Sequence, residues 1–219
     1  MLQSSIGKKA LMAVSGLMLV GFVIAHLLGN LQIFLGPQAI NAYAVKLRHY
    51  GALLWVARGL LLLAAVVHIR TSIQLSLENR RARGTPYAVF QPGVTGLAAR
   101  SMLLTGLLLL SYLVYHLLHF TFRTVHPELT HAVDALGQHD VYRMMVRSFQ
   151  DPWISGTYIL GMAVLSLHLA HGFGSAFQTL GLANERTIPA TAVLSRVAAA
   201  LIFLGYASIP AAVLFGWIV

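Results

Sequence analysis

The first apolar stretch of the chain, residues 10–35, reads ALMAVSGLMLVGFVIAHLLGNLQIFL. A helix needs about 20 mostly apolar residues to cross the hydrocarbon layer of a bilayer, so this stretch is long enough to span one. One ionisable side chain, His26, lies well inside it. An ionisable group at that depth is costly and usually has a function. The stretch therefore predicts a transmembrane helix that carries a buried site.

Four more stretches of this kind follow, and together they decide the fold class. Of the 219 residues 58% are hydrophobic and only 10% are charged, with a mean hydropathy of +0.74, which is far from the composition of a soluble domain. We predict an all-α bundle of five transmembrane helices, forming a single domain over residues 1–219. Soluble chemistry is expected on partner chains, because the spans leave little room for it. The predicted spans are 10–35, 53–77, 97–122, 152–178 and 191–218.

The basic residues indicate the orientation. Lys8 and Lys9 precede the first span as in a signal peptide, but the length of the span and its histidine favour a retained helix. With the N-terminus inside, nine basic residues lie at inner span ends and six at outer ends, a moderate positive-inside bias. We expect a multi-pass protein of the cytoplasmic membrane whose positive charges meet anionic lipid and partner subunits, not nucleic acid. The inner residues are Lys8, Lys9, Arg70, Arg80, Arg81, Arg83, Arg100, Arg186 and Arg196, and the outer ones Lys46, Arg48, Arg58, Arg123, Arg143 and Arg147.

Two outer connections have different characters. Residues 36–52 are expected to form a short link with one or two helical turns. Residues 123–151 are longer and more polar, and 141–146 alternates as an interfacial amphipathic helix would. A metal site in this second connection is disfavoured, because its titratable residues are too loosely spaced. They are His126, His131, His139, Asp134 and Asp140.

Each of the next three spans also carries a deep histidine: His68, His116 and His168. The chain has no cysteine, so it can hold no thiolate-bound iron–sulfur cluster, and any redox centre must use histidine. A lone membrane histidine more often bonds a neighbouring helix. Four at matched depths favour the axial ligands of two haems, since neutral imidazole is a common ligand for haem iron.

Depth along the helices predicts how these histidines pair. With a rise of ~1.5 Å per residue, His26 and His116 lie about 25 Å and 24 Å from the inner ends of their spans. His68 and His168 lie about 20 Å and 22 Å from the outer ends of helices that run the other way. The topology therefore pairs His26 with His116 at an outer level and His68 with His168 at an inner one. The levels come out about 10 to 15 Å apart, close enough for electron transfer.

Further residues are candidates for contact with a cofactor. His119 and His171 each follow a predicted ligand by three residues, about 60° around the helix, so we expect them to bond propionate, backbone or quinone instead of iron. Ser15-Gly16 and Thr105-Gly106 precede His26 and His116 by eleven and ten residues, which puts small side chains at the level of the other haem. Such residues also serve ordinary helix packing.

Two arginines complete the set of candidates. Arg70 is the one basic group well within a predicted span, and it either reaches the inner surface or pairs with a propionate. Arg100 is a similar candidate at the inner end of the third span. For the quinone site the alternatives stay open: Asn30, Gln32 and His119 near the outer level, or Arg100, Arg70 and His171 near the inner one.

Three short motifs carry a family resemblance. They are His26-Leu27-Leu28-Gly29-Asn30, Thr105-Gly106 leading to Tyr115-His116, and Leu167-His168-Leu169-Ala170-His171-Gly172. Together with the number and order of the spans, they make the chain resemble the two-haem cytochrome b subunit of succinate:quinone oxidoreductases, the succinate dehydrogenases and fumarate reductases. Each motif alone is weak, and the set is specific.

The resemblance implies a membrane-anchor subunit that has no dehydrogenase site of its own. It implies two haem b groups bridging spans one with three and two with four, with electrons exchanged with membrane quinone, typically menaquinone. It also implies two partners on the inner face, a flavoprotein with covalent FAD that oxidises succinate and an iron–sulfur subunit. One branch of the family has a glutamate two residues before the fourth ligand. Here that residue is Ser166, so the proton path of that branch is not expected.

Three alternatives remain. The chain could be the cytochrome b subunit of another quinone-linked complex, such as a formate dehydrogenase or hydrogenase. It could be a zinc transporter in which His116/His119 and His168/His171 supply the ligands. Such a transporter leaves His26 and His68 unexplained. It could also be a membrane anchor without a cofactor.

Overall fold

The computed structural model describes residues 4–82, 97–125, 127–129 and 132–219, without the side chains of 97–100 and 129. These residues form seven α-helices, with a 3₁₀ turn (Leu31–Leu35) after the first and a π-helical turn (Leu117–Thr121) after the fourth. The helices are α1 (Ser5–Asn30), α2 (Pro37–His49), α3 (Ala52–Arg81), α4 (Leu97–His116), α5 (Val141–Phe149), α6 (Pro152–Thr179) and α7 (Ile188–Leu214).

Five of these helical segments are long and apolar enough to cross a membrane, which confirms the predicted all-α bundle. They run over Ser5–Leu35, Ala52–Arg81, Ser101–Thr121, Pro152–Thr179 and Ile188–Leu214. Their outward faces carry large apolar side chains such as Leu62, 67% exposed, and Leu201, 63% exposed. In a bilayer this surface meets lipid, and each helix satisfies its own backbone hydrogen bonds. The chain is a multi-pass membrane protein.

Local sequence explains where these helices begin. The Ser4 side chain accepts from the Gly7 N–H at the start of α1. Asp151 caps α6 by accepting from the N–H groups of Trp153 and Ile154, and Pro152 fits the first helical position, where no N–H is needed.

Predicted and observed helix ends differ at several points. α3 continues from its predicted end at 77 to Arg81, and this extension carries Glu78, which forms an ion pair with Lys8 at the start of α1. The first segment begins five residues earlier than predicted, and the last runs over Ile188–Leu214 instead of 191–218. Polar residues near the membrane surface continue a helix that hydropathy alone would end, because their side chains find partners there.

Four helices form a ring. α1 packs along α3 and α6, and α4 packs along α6 and more lightly against α3. α7 lies outside this ring, mainly on α6. The diagonals of the ring therefore join α1 with α4 and α3 with α6. Each diagonal pair is the pair of helices on which matched histidines were predicted.

One end of the ring, where α1 and α4 have their C-termini, is closed by α2 and α5. We call these two helices, with the 132–140 segment between α4 and α5, the cap. The 36–52 link was predicted to hold one or two turns, but α2 is a 13-residue helix, started by Pro37 after Gly36 with φ 96°. α5 confirms the predicted amphipathic helix at 141–146, extended to Phe149. Buried apolar residues from the 3₁₀ turn, α2, α5, α6, α7 and the C-terminal residues meet here: Ile33, Ile40, Met145, Val146, Phe149, Tyr158, Ile209, Ala212, Val213 and Ile218.

A buried amide ties this cap together. The Asn41 side chain, 2% exposed, donates to Asp134 and Asp140 and accepts from the Tyr142 N–H. A buried polar group of this kind is tolerated only because its hydrogen bonds are made. Asn41 therefore joins α2 to the 132–140 segment and to the start of α5.

α4 and α6 approach closely at Gly161. A Cβ atom there would lie 2.5 Å from two ring carbons of Tyr112, a distance no side chain can keep. On the same helix, a Cβ at Gly156 would meet nothing within 4 Å.

Replacement of Gly161 by Ala should destabilise the bundle by about 1–3 kcal/mol, because the Tyr112 ring must move in a packed interface. Gly156→Ala should be neutral or stabilising by up to ~1 kcal/mol, since alanine favours a helix. Thermal unfolding of the detergent-solubilised protein measures both. Equal midpoints for the two variants would contradict this packing.

Candidate functional site

His68 of α3 and His168 of α6 face each other across one diagonal of the ring. Their imidazole centres are 6.4 Å apart, with the ring planes at 70°. Both side chains are half-buried. The structure thus brings together the two histidines that depth along the helices had paired.

Hydrogen bonds fix the tautomer of both rings. The Nδ1 atom of His68 is 3.0 Å from the Met12 carbonyl oxygen, which can only accept, so Nδ1 carries the hydrogen. The Nδ1 atom of His168 is 3.0 Å from Thr105 Oγ1, whose own hydrogen goes to the Ser101 or Met102 carbonyl. His168 must therefore donate as well. Both rings keep the lone pair on Nε2 for a metal, the arrangement usual for metal-binding histidines.

His26 of α1 and His116 of α4 form the matching pair across the other diagonal. Their ring centres are 5.9 Å apart, with the planes at 82°. Phe22 stacks on the His26 ring at 5.2 Å, and the Tyr112 ring lies 6.2 Å from that of His116. This pair is enclosed by aromatic side chains, whereas the first pair is held by backbone and hydroxyl oxygens.

The separation within each pair has a chemical meaning. Two imidazoles that each bond one metal ion at about 2 Å place their ring centres about 6 Å apart. The observed values of 5.9 Å and 6.4 Å match that spacing. A direct hydrogen bond between two imidazoles lies in or near the ring planes and would leave no room for an ion. Both spacings are therefore compatible with one metal ion between the two imidazoles.

The small residues lie where the sequence placed them. A Cβ at Gly16 would come within 3.0 Å of the His68 ring, and one at Gly106 within 3.6 Å of the His168 ring. The buried Ser15 hydroxyl donates to the Leu11 or Met12 carbonyl, beside the bond from His68. Thus α1 and α4, which carry the second pair, also shape the space around the first pair, as their ten- and eleven-residue offsets predicted.

His119 departs most from expectation. It is 2% exposed, with Nδ1 2.9 Å from the Tyr158 hydroxyl and Nε2 3.0 Å from Ser148 Oγ. Both ring nitrogens thus have protein partners, where propionate, backbone or quinone had been expected. His171, the other histidine that lies three residues after a predicted ligand, is half-buried.

The two candidate arginines, Arg70 and Arg100, are not shown in contact with either histidine pair among the described side chains. Arg70 is exposed on α3, beside an open apolar groove formed with Val66, Ile69 and Ile73. It therefore does not lie buried between helices. Arg100 belongs to α4, but its side chain lies outside the described residues. Asn30 donates to the backbone oxygen of His26.

Three site residues escaped the sequence analysis. Tyr158 contacts His116 and His119, Ser148 contacts His119, and the Tyr206 ring lies 6.2 Å from that of His26. Tyr158 precedes His168 by ten residues, the offset already noted for Gly16 and Gly106, so the same rule applied to α6 would have found it. Ser148 and Tyr206 come from α5 and α7, which carry no predicted ligand.

The described residues of the polar connection after α4 form no cluster that could hold a metal ion. His126 and His131 lie outside the described residues. The Nδ1 atom of His139 donates to the Ala132 carbonyl, and both aspartates bond Asn41. Among the described residues no three histidine or acidic side chains cluster as a metal site. Each of the two histidine pairs has only two imidazoles, fewer than the three side chains of such a cluster.

Comparison of the chain with protein-family models, with curated proteins and with solved structures gave no match.

The environment of His139 has a consequence for pH. Burial lowers the pKa of this histidine, and the positive charges of Arg123 and Arg48 lower it further, against the raising effects of the Ala132 bond and Asp140. Its Nε2 atom is buried without a hydrogen-bond partner among the described residues. Protonation would place an unsatisfied N–H at that atom.

We expect acid to loosen residues 132–140. Because the folded pKa lies below the unfolded value of about 6.5, the stabilisation by neutral His139 is present above that pH and is lost as pH falls through the folded value. Hydrogen exchange of these amides, corrected for intrinsic rate, measures the effect. His139→Gln should remove the acid-dependent part, and His49→Gln, at an exposed site on α2, should keep it. Unchanged acid sensitivity in His139→Gln would assign it to another group.

Proposed function

We propose that this protein is the membrane-anchoring, electron-transferring cytochrome b subunit of a succinate:quinone oxidoreductase. The observation that carries the proposal is the pair of facing imidazoles on each diagonal of the ring, spaced at 6.4 Å and 5.9 Å. Two such pairs in one apolar helix bundle match the ligand requirement of two six-coordinate haem b groups. The succinate site is assigned to a partner chain.

The residues around the pairs fit this cofactor. The Nδ1 bonds of His68 and His168 leave Nε2 of each ring for iron. Gly16 lets α1 approach His68 closely, which a larger residue would prevent. The helices that carry each pair are diagonal in the ring and not among its extensively packed neighbours, which favours a flat group between them.

The haem supplies reversible one-electron transfer between an iron–sulfur partner and membrane quinone, for which menaquinone is our first candidate. The chain's own residues hold His68 and His168 in the Nδ1–H tautomer, which would leave Nε2 of each ring free to bind iron. The bundle anchors the flavoprotein and iron–sulfur partners at the inner surface, which we assign to the end with Lys8 and Arg81. The cytoplasmic membrane is the proposed location, and its anionic lipid suits the +9 formal charge.

The alternatives differ in what they require. A zinc site built from His116 and His119 conflicts with the bonds of both His119 nitrogens to Tyr158 and Ser148. A formate dehydrogenase or hydrogenase subunit would use the same histidine pairs. The chain that co-purifies separates this candidate from ours: a flavoprotein with succinate dehydrogenase activity supports the proposal, and a molybdenum or nickel subunit refutes it.

The purified complex should contain two haem b groups per copy of this chain, each with two imidazole ligands. Pyridine haemochrome analysis gives the stoichiometry, and the reduced-minus-oxidised spectrum gives the haem type. One haem or none per chain would refute the proposal.

Substitutions of the ligands should act in pairs. His68→Ala and His168→Ala should each remove the same haem, and His26→Ala and His116→Ala the other, because each iron loses an axial bond. Redox titration with low-temperature spectra distinguishes the two haems in each variant. His49→Ala, at an exposed histidine on α2, is the control and should keep both. If His26→Ala and His168→Ala altered the same haem, the pairing would be wrong.

A further inference from the structure

Four side chains form one hydrogen-bonded network at the His26–His116 pair: Ser148, His119, Tyr158 and His116 itself. Ser148 Oγ lies 3.0 Å from His119 Nε2, His119 Nδ1 lies 2.9 Å from the Tyr158 hydroxyl, and that hydroxyl lies 3.4 Å from His116 Nδ1. Ser148 is 0% exposed, His119 2% and Tyr158 6%. Water therefore has little access to these groups, and their hydrogen bonds depend on one another.

The path of α4 places His119 in this network. Directly after His116 the helix changes to π-helical hydrogen bonding over Leu117–Thr121, and the Phe122 N–H bonds the Leu117 carbonyl at 2.8 Å. Such wide turns are rare and are frequently found at functional sites. Here the π-helical residue His119 reaches toward α5 and α6, and its ring stacks on Phe120 at 4.1 Å.

When the Tyr158 hydroxyl donates to one of these two histidines, the hydrogen bonds of the network can run in two directions. In one, His116 Nδ1–H donates to the Tyr158 oxygen, the Tyr158 hydroxyl donates to His119 Nδ1, and His119 Nε2–H donates to Ser148. In the other, every bond is reversed, and His116 carries its hydrogen on Nε2. A nitrogen that carries a hydrogen has no lone pair for a metal.

We propose that Ser148, His119 and Tyr158 are positioning residues that hold His116 in the Nδ1–H tautomer and increase the electron density of its ring. This inference rests on the proposed function, since it assumes that His116 binds haem iron. An N–H that donates to an acceptor makes an imidazole a more basic ligand, which favours the oxidised metal. A haem held by His26 and His116 would thereby be stabilised in its ferric state.

The test uses the purified complex and redox titration of both haems. Tyr158→Phe keeps the ring but removes the hydroxyl, and should raise the midpoint potential of the haem that His116→Ala removes. The expected change is up to tenfold in the ferric-to-ferrous ratio, which is 59 mV for a one-electron couple. The 3.4 Å length of the Tyr158–His116 bond sets this modest scale. The His68–His168 haem should keep its potential.

Two further variants control the experiment. Ser148→Ala removes the hydroxyl that lies farthest from His116 in this network. It should shift the midpoint potential of the same haem in the same direction by a smaller amount, and it provides the test if Tyr158→Phe does not assemble. Tyr115→Phe alters a tyrosine whose ring lies 5.9 Å from that of Tyr158. Its hydroxyl forms no hydrogen bond with the four side chains of the network, so the midpoint potentials of both haems should stay unchanged.

The outcomes separate this inference from the proposed function. Unchanged potentials in Tyr158→Phe and Ser148→Ala, with two haems retained, would overturn the inference and leave the haem assignment standing. A shift confined to the His68–His168 haem would also overturn it. Wild-type protein without haem would overturn both.

Discussion

The exclusion of water from the apolar layer constrains everything else in this structure. Because no solvent can satisfy backbone groups there, the chain must cross as complete helices, and five of its segments are long enough to do so. The same constraint favours a protein partner for each buried polar side chain inside the bundle. The bonds of His68 to Met12 and of His168 to Thr105 meet that need and, at the same time, orient the rings.

The arrangement of helices turns four separate histidines into two pairs. Neighbours in the ring pack through small residues, as Gly161 does against Tyr112, while diagonal helices approach through their imidazoles. The two pairs differ in surroundings. Oxygen atoms of α1 and α4 hold the His68–His168 pair, and aromatic rings enclose the His26–His116 pair. If both hold the same cofactor, these surroundings give the two sites different properties without any change of ligand.

The cap formed by α2, α5 and the 132–140 segment closes the ring and also supplies a residue to a buried site. Asn41 ties α2 to the 132–140 segment and to α5, and α5 brings Ser148 against His119. A polar connection outside the spans thereby contributes to a buried site. The same segment contains His139, whose neutral form the fold favours, so we expect the region around the cap to respond to acid.

The sequence by itself determined the fold class, the five spans, the amphipathic α5 and the pairing of histidines by depth, because length, hydropathy and helical rise are local properties of a chain. It also located Gly16 and Thr105 at the level of the other pair by counting turns. It did not determine the length of α2 or the extension of α3 to Glu78, since both are held by partners distant in sequence. Only the tertiary structure decided that Ser148 and Tyr206 lie against His119 and His26. Their contacts with the histidines depend on how α5, α6 and α7 pack against α1 and α4, and on a π-helical turn that no local pattern announces.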